Sequence, residues 1–255
     1  MPEVIHVAGV SNFRGLGGIK VGEKHFKKGL AFRCGSLNQI TEKGIETLQK
    51  LNICVDIDLR TTNEKFQKPD PVIEGIEFFE CDLLGRPGTG MSHEKEKKSL
   101  RKKIAWLKTA MTMEELYAHM LTDRVENIKK LFDKCVDCLL NGKPFLFHCS
   151  VGKDRTGITA FLLLGILGAE KKDIVDDYML TRKYKNKKEH FKESLIKLID
   201  YRAGKVAVSM MVVKKSYIES AFKTIEEEGG FLSYAKNRLG VDEATISRLK
   251  DVCLE

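Results

Sequence analysis

The stretch FLFHCSVGKDRTGITAFLLLG, Phe145–Gly165, sets a cysteine and an arginine, Cys149 and Arg155, between an apolar run and a helical pattern. Cysteine is a nucleophile as the thiolate, and its pKa falls from ~8.5 to roughly 3.5–7.5 at a helix N-terminus or beside cations. Cys149 stands just ahead of TGITAFLLLGILG, which is apolar nearly all round and suits a central helix buried against a sheet. A loop that turns its backbone N–H groups inward at such a helix start forms an anion-binding nest. Ser150, Val151, Gly152 and Lys153 make up that loop, and Gly152 lets the backbone pass close to the bound group. Arg155 enters from the far end with a planar fork that matches two oxygens of a tetrahedral oxyanion. These residues predict a strand, a tight loop and a buried helix, with a thiolate facing an anion. Lys153 and Asp154, a cation beside an anion, go beyond what a simple cradle requires.

The flanking pattern supplies the fold. From Asp123 to Leu140 the apolar residues Val125, Ile128, Leu131, Phe132, Cys135, Cys138 and Leu139 recur at helical spacing, with Asn141-Gly142 as a stop, so a helix precedes the strand KPFLFHC. NICVDIDLR, Asn52–Arg60, reads as a buried strand that ends at the polar TTNEKFQKPD, and GIEFFECDLL reads as a second, with Asp82 near its exit. KKDIVDDYMLTRKY, HFKESLIKLIDY, SYIESAFKTIEEEGGFLSYAKNRLG and DEATISRLKDVCLE read as helices. The prediction is an α/β fold, a central mostly parallel sheet flanked by helices, with a helical C-terminal third. No repeat, low-complexity block or Pro/Gly linker divides the chain, so residues 1–255 read as one domain.

Composition agrees. At 255 residues and 42% hydrophobic, the chain can bury a sizeable core. A net charge of +8 arises from 44 basic against 36 acidic residues, a mixed surface that weakly favours anionic partners and has no polycationic arm for nucleic acid. Seven scattered cysteines form no dense even framework, which suggests a reduced, intracellular chain. MPEVIHVAGVSNFRGLGG has no signal-peptide pattern, and the longest apolar run, Ile158 to Ala169, is too short to span a bilayer. A cytoplasmic location is expected, and nothing signals oligomeric state.

With His148 before the cysteine and Thr156 after the arginine, the loop reads H-C-x-x-G-x-x-R-[S/T], which resembles the signature of the protein tyrosine phosphatase superfamily. Its full wording, HCSVGKDRTG, is similar to the bacterial tyrosine and lipid phosphatase family. NFRGLGG, FRCGSLNQIT, DLRTTNE, DDYMLT and the C-terminal SYIESAFKTIEEEGGFLSYAKNRLG extend that resemblance in order along nearly the whole chain. The resemblance implies a phosphatase with no metal or cofactor. Cys149 would attack phosphorus, Arg155 and the loop N–H groups would hold the oxygens, Thr156 would ease sulfur departure, and His148 would support the thiolate through the loop backbone. It implies phosphotyrosine protein substrates, with phosphoinositides and phosphoserine or phosphothreonine as further ones.

Expulsion of an alkoxide or phenolate requires a proton from a nearby acid. In the family that acid is the loop aspartate, here Asp154; Asp82, where a separate acid loop would lie, is the competitor. Lys153 would add a second cation for substrates with more than one phosphate. Arg60 and Glu64 read either as a salt-bridged support for the loop or as substrate contacts, while Asn12 and Arg14 read as structural partners of a Gly-rich turn. GLGGIKVG does not meet G-x-G-x-x-G, so no dinucleotide site is implied. Cys135 and Cys138 fall on an apolar helix face and read as core, not as half a zinc site. The basic stretches 94–108 and 182–192 read as solvated faces, with peripheral contact to an anionic membrane as the second reading. The rivals to a phosphatase are a weak phosphate-binding module of the same fold, and a sulfur- or arsenate-handling enzyme with a similar loop.

Overall fold

The computed structural model describes residues 2–85, 110–184 and 208–255. Its elements run β1 (Arg14–Gly15), β2 (Lys20–Val21), β3 (Lys24–His25), β4 (Ala31–Cys34), α1 (Glu42–Lys50), β5 (Val55–Asp58), α2 (Thr62–Gln67), β6 (Glu77–Glu80), α3 (Met113–Thr122), α4 (Val125–Leu140), β7 (Phe145–His148), α5 (Asp154–Leu167), α6 (Lys171–Leu180), α7 (Lys215–Glu227), α8 (Phe231–Tyr234) and α9 (Glu243–Cys253). A 3-10 turn, Thr181–Tyr184, follows α6, and a π-helical segment, Ala235–Leu239, follows α8.

The main sheet has the order β1-β4-β7-β5-β6, with β4, β7, β5 and β6 parallel and β1 antiparallel at the edge. The predicted mostly parallel, helix-flanked architecture is therefore the observed one. Register aligns Cys34, His148, Asp58 and Glu80 in one row at the carboxyl ends of the parallel strands. Ligands of open α/β sheets bind beyond that end.

Alternation along the strands divides the core. Phe145, Phe147, Val55 and Ile57 join the larger cluster with residues of α3 to α7, whereas Phe32, Cys34 and Leu146 join a smaller one with Leu48 and Ile53. Side chains in register share a face. Asp56 pairs with Leu146 and Asp58 with His148, so these three polar groups share the side of the smaller cluster. In the larger cluster α5 is buried at every position from Arg155 to Leu167, as its all-round apolar sequence predicts. It ends at Gly168, whose φ of +100° admits the left-handed cap, with Ala169 N–H donating to the Leu164 carbonyl at 2.9 Å. Cys135 and Cys138 of α4 pack in this core, as read from their helix face.

Several elements were not anticipated. β4 is only AFRC, with a buried arginine, and becomes a strand because β7 pairs with it. α1 and α3 carried readable signals, Thr41 as N-cap of the first and the Thr112–Glu115 capping box of the second. The basic stretch 94–108 and the helix read in HFKESLIKLIDY lie outside the described residues, as does 182–192 beyond the 3-10 turn.

Candidate active site

The loop leaves β7 at His148 and enters α5 at Asp154, folding over the carboxyl end of the sheet. Gly152 has φ +72°, and a Cβ there would lie 2.3 Å from the Cys34 carbonyl oxygen, so this turn admits only glycine. Asn12 donates to the carbonyls of Gly152 at 2.8 Å and Val151 at 3.3 Å, and Arg33 donates to Gly152 O at 3.1 Å. These donors fix two carbonyls of the loop, the candidate nest.

Cys149 is 3% exposed. Burial alone would push its thiol up, but the Arg155 charge, the Thr156 hydroxyl and the Val151 N–H together more than reverse this and leave it below the ordinary thiol range. The buried Thr156 hydroxyl has no hydrogen-bond partner among the described residues, and its influence falls on the Cys149 thiol, whose pKa it lowers. Arg155 is fixed by Glu64 of α2 through a two-point pair, Nη1 to Oε2 at 2.6 Å and Nη2 to Oε1 at 2.8 Å. Ser150 donates its hydroxyl to the same carboxylate, as does the Thr61 N–H at 3.0 Å. Burial raises the Glu64 pKa, and these donors, Arg155 foremost, bring it far below the usual carboxylate range. Glu64 is thus the loop's support, whereas Arg60 pairs with Asp58 and Asp70 at 2.7 Å each and makes no bond to Glu64.

A further network lies behind Asn12. Its Oδ1 accepts from Arg14, whose Nε donates to Asp177 Oδ1 at 2.8 Å, and Arg33 donates to Asp177 Oδ2. All are essentially excluded from solvent. Sequence reasoning named Asn12 and Arg14 but missed Arg33 and Asp177; both stood inside quoted motifs, FRCGSLNQIT and DDYMLT.

His148 faces three carboxylates. Nε2 lies 3.1 Å from Asp56 Oδ1 and 3.3 Å from Asp70 Oδ2, and Nδ1 lies 4.0 Å from Asp58. Burial opposes its charge, but the carboxylates, Asp56 foremost, raise its pKa to about 9. Its ring also reaches the Cys149 carbonyl at 3.5 Å, the backbone route by which it was expected to act. Asp56, Asp70 and His148 hold ligand-type atoms within 4.8 Å of one another. Arg60 already lies 2.7 Å from that Asp70 oxygen, and the carboxylates favour the protonated imidazole, which offers no lone pair to a metal, so the cluster fits a metal poorly.

The two acid candidates are placed differently. Asp82 folds onto its own turn, Oδ1 accepting from Leu84 N at 2.8 Å and Gly85 N at 2.6 Å. Asp154 begins α5 next to Arg155, with its side chain 23% exposed, and its charge acts on Cys149. Lys153 is not turned toward the nest. Its ammonium donates to the carbonyls of Met210 at 2.6 Å and Val212 at 2.9 Å and lies 3.4 Å from Asp154 Oδ2.

A mostly parallel sheet whose middle strand leads into a cysteine in thiolate-favouring surroundings, with an arginine clamped at the start of the following helix, has the architecture of the protein tyrosine phosphatase superfamily. The chain belongs to the tyrosine phosphatase family, whose profile matches residues 5–255. It is 26% identical over 240 residues to a putative tyrosine-protein phosphatase of Cupriavidus necator, covering 93% of this chain and 84% of that one. It is 24% identical over 258 aligned positions to the triple specificity protein phosphatase PtpB of Mycobacterium tuberculosis, covering 89% and 92%. A tyrosine-protein phosphatase of Nostoc commune is 32% identical over 152 residues, 60% of this chain but only 48% of that relative, so the match spans about half of its length.

Proposed function

We propose that the chain hydrolyses phosphate monoesters through a phosphocysteine on Cys149, with phosphotyrosine proteins as the main substrates and phosphoinositides and phosphoserine or phosphothreonine as further ones. The observation that carries this reading is a buried Cys149 whose surroundings favour the thiolate, in the same loop as an arginine held by Glu64. In the first step Sγ bonds to phosphorus, the P–O bond to the leaving group breaks with its electron pair on oxygen, and protonated Asp154 supplies the proton. The loop N–H groups and Arg155 hold the remaining oxygens. In the second, water attacks the phosphocysteine, Asp154 takes its proton, and the Thr156 hydroxyl stabilises the departing thiolate. No step calls for a metal or cofactor.

The Mycobacterium tuberculosis relative is a triple specificity protein phosphatase by name, which supports a range beyond phosphotyrosine. Lys153 would add a phosphate contact only after leaving its carbonyl partners. The family match across 5–255 supports residues 1–255 as one phosphatase domain. Among the described residues no helix is long and apolar enough to cross a membrane. We place the enzyme in the cytoplasm, with an anionic membrane as the surface on which phosphoinositides would be met. A phosphate-binding module is the weaker reading, because binding has no use for a lowered cysteine pKa.

Hydrolysis of 4-nitrophenyl phosphate and a phosphotyrosine peptide, with chelator present, tests the scheme. Cys149→Ser should abolish turnover, and wild-type turnover by that variant would sink it. Asp154→Ala should lose about 100-fold and Asp82→Ala less than about threefold; the reverse order would make Asp82 the acid.

A further inference from the structure

Asp154 is held by a pair of buried tyrosines. Tyr117 of α3 donates its hydroxyl proton to Asp154 Oδ1 at 2.8 Å, and the same hydroxyl lies 2.8 Å from that of Tyr178 on α6. A phenol has one proton to donate. Tyr117 spends its proton on the carboxylate, so Tyr178 donates to Tyr117. Both residues are buried, at 0% and 1% exposure, and their rings meet edge to face at 6.1 Å. Tyr178 is seated by the first turn of α5, where a Cβ on Gly157 would stand 3.2 Å from its ring atoms.

This pattern differs from an ordinary buried tyrosine. The hydroxyl of Tyr234, also buried, ends on the Leu121 carbonyl at 2.8 Å, a structural bond. That of Tyr117 ends on the acid of the loop instead, in surroundings dry enough to strengthen a charge-assisted bond. Burial, and then the Asp154 charge, hold the Tyr117 phenol well above its ordinary pKa, so it remains a donor at any working pH. With Oδ1 pinned, Oδ2 is the oxygen the tyrosine leaves for the proton; it faces the Lys153 ammonium at 3.4 Å, beyond a well-formed hydrogen bond.

We propose that Tyr117, steadied by Tyr178, is a positioning residue that orients the Asp154 carboxyl so that Oδ2 delivers the proton to the leaving oxygen. This rests on Asp154 being the acid of the proposed reaction. Tyr178 follows Asp177, so one turn of α6 sets both the outer wall of the nest and the orientation of the acid.

The test is a leaving-group comparison. 2,4-Dinitrophenyl phosphate releases a stable anion and requires little protonation, whereas phenyl phosphate needs the acid. Tyr117→Phe should lower kcat/KM, which reports the step that expels the leaving group, about tenfold on phenyl phosphate and less than about twofold on the dinitrophenyl ester. Tyr178→Phe should show the same split at about threefold, and adding Tyr117→Phe to Asp154→Asn should cost nothing more. Equal losses of Tyr117→Phe on both esters, or none on either, would overturn the proposal. Should Tyr117→Phe fail to fold, Tyr178→Phe is read by the same criterion. Asp154→Asn with no split between the esters would refute the acid reading itself; a split there with none in Tyr117→Phe overturns the positioning role alone.

Discussion

The thiol of Cys149 is pulled in two directions. Burial raises its pKa, and Arg155, Thr156 and the Val151 N–H lower it by more. Thr156→Val removes one of the lowering groups without changing side-chain shape much. The pH midpoint for alkylation of Cys149 by iodoacetamide, followed by mass spectrometry of its peptide, should then rise by about one pH unit, the value of one hydrogen bond to a charged group. An unchanged midpoint would mean that the hydroxyl does not act on the ion. At this scale much was legible: the spacing of Cys149, Gly152, Arg155 and Thr156 lies within one loop, and a loop's geometry is local. The partners were not. Arg60 and Glu64 share the motif DLRTTNE, yet the first goes to Asp58 and Asp70 and the second to Arg155, 91 positions away.

Among the elements, α6 carries more of the site than its surface suggests. Asp177 joins it to β1 through Arg14 and to β4 through Arg33, both guanidiniums being fully buried. Burial and then the neighbouring Arg14 lower the pKa of Arg33 to about 10, and Asp177 is the counter-charge that keeps the pair tolerable. Asp177→Asn would leave two buried cations facing each other, and should destabilise the fold by about 3–5 kcal/mol as read from the urea midpoint. Lys172→Ala, which removes a fully exposed i,i+4 partner of Asp176 on the same helix, should leave that midpoint in place. A midpoint unmoved by Asp177→Asn would show that the network contributes nothing to stability. The helical period of KKDIVDDYMLTRKY announces α6, but period alone does not reveal that one of its aspartates faces two arginines from the sheet.

For the whole molecule, the buried charge row beneath the loop links stability to pH. His148 has its pKa raised from 6.5 to about 9 in the fold. A raised folded pKa contributes stability that is complete below the unfolded value and is lost as pH rises through the folded one. Unfolding free energy should therefore fall between about pH 6.5 and about pH 9. Cys149, lowered in the fold, works in the opposite sense over part of that range, so the measurement belongs in a Cys149→Ser background. There, urea denaturation across the window should slope downward with His148 present and be flatter in His148→Asn. Equal slopes would mean that the imidazole is neutral in the folded protein.

By itself the sequence determined what depends on neighbours along the chain: the strand-loop-helix unit around Cys149, the burial of α5, the parallel sheet implied by short apolar strands between helices, and the residue types of the candidate site. These follow from periodicity and from spacing within about ten residues, where backbone geometry leaves few alternatives. Only the tertiary structure decided which charge meets which. Tyr117 reaches Asp154 across 37 positions, Lys153 reaches Met210 across 57, Glu64 reaches Arg155 across 91 and Asp177 reaches Arg14 across 163. Such pairs depend on how helices pack on the sheet, and a hydrogen bond a few tenths of an ångström long or short is a different contact.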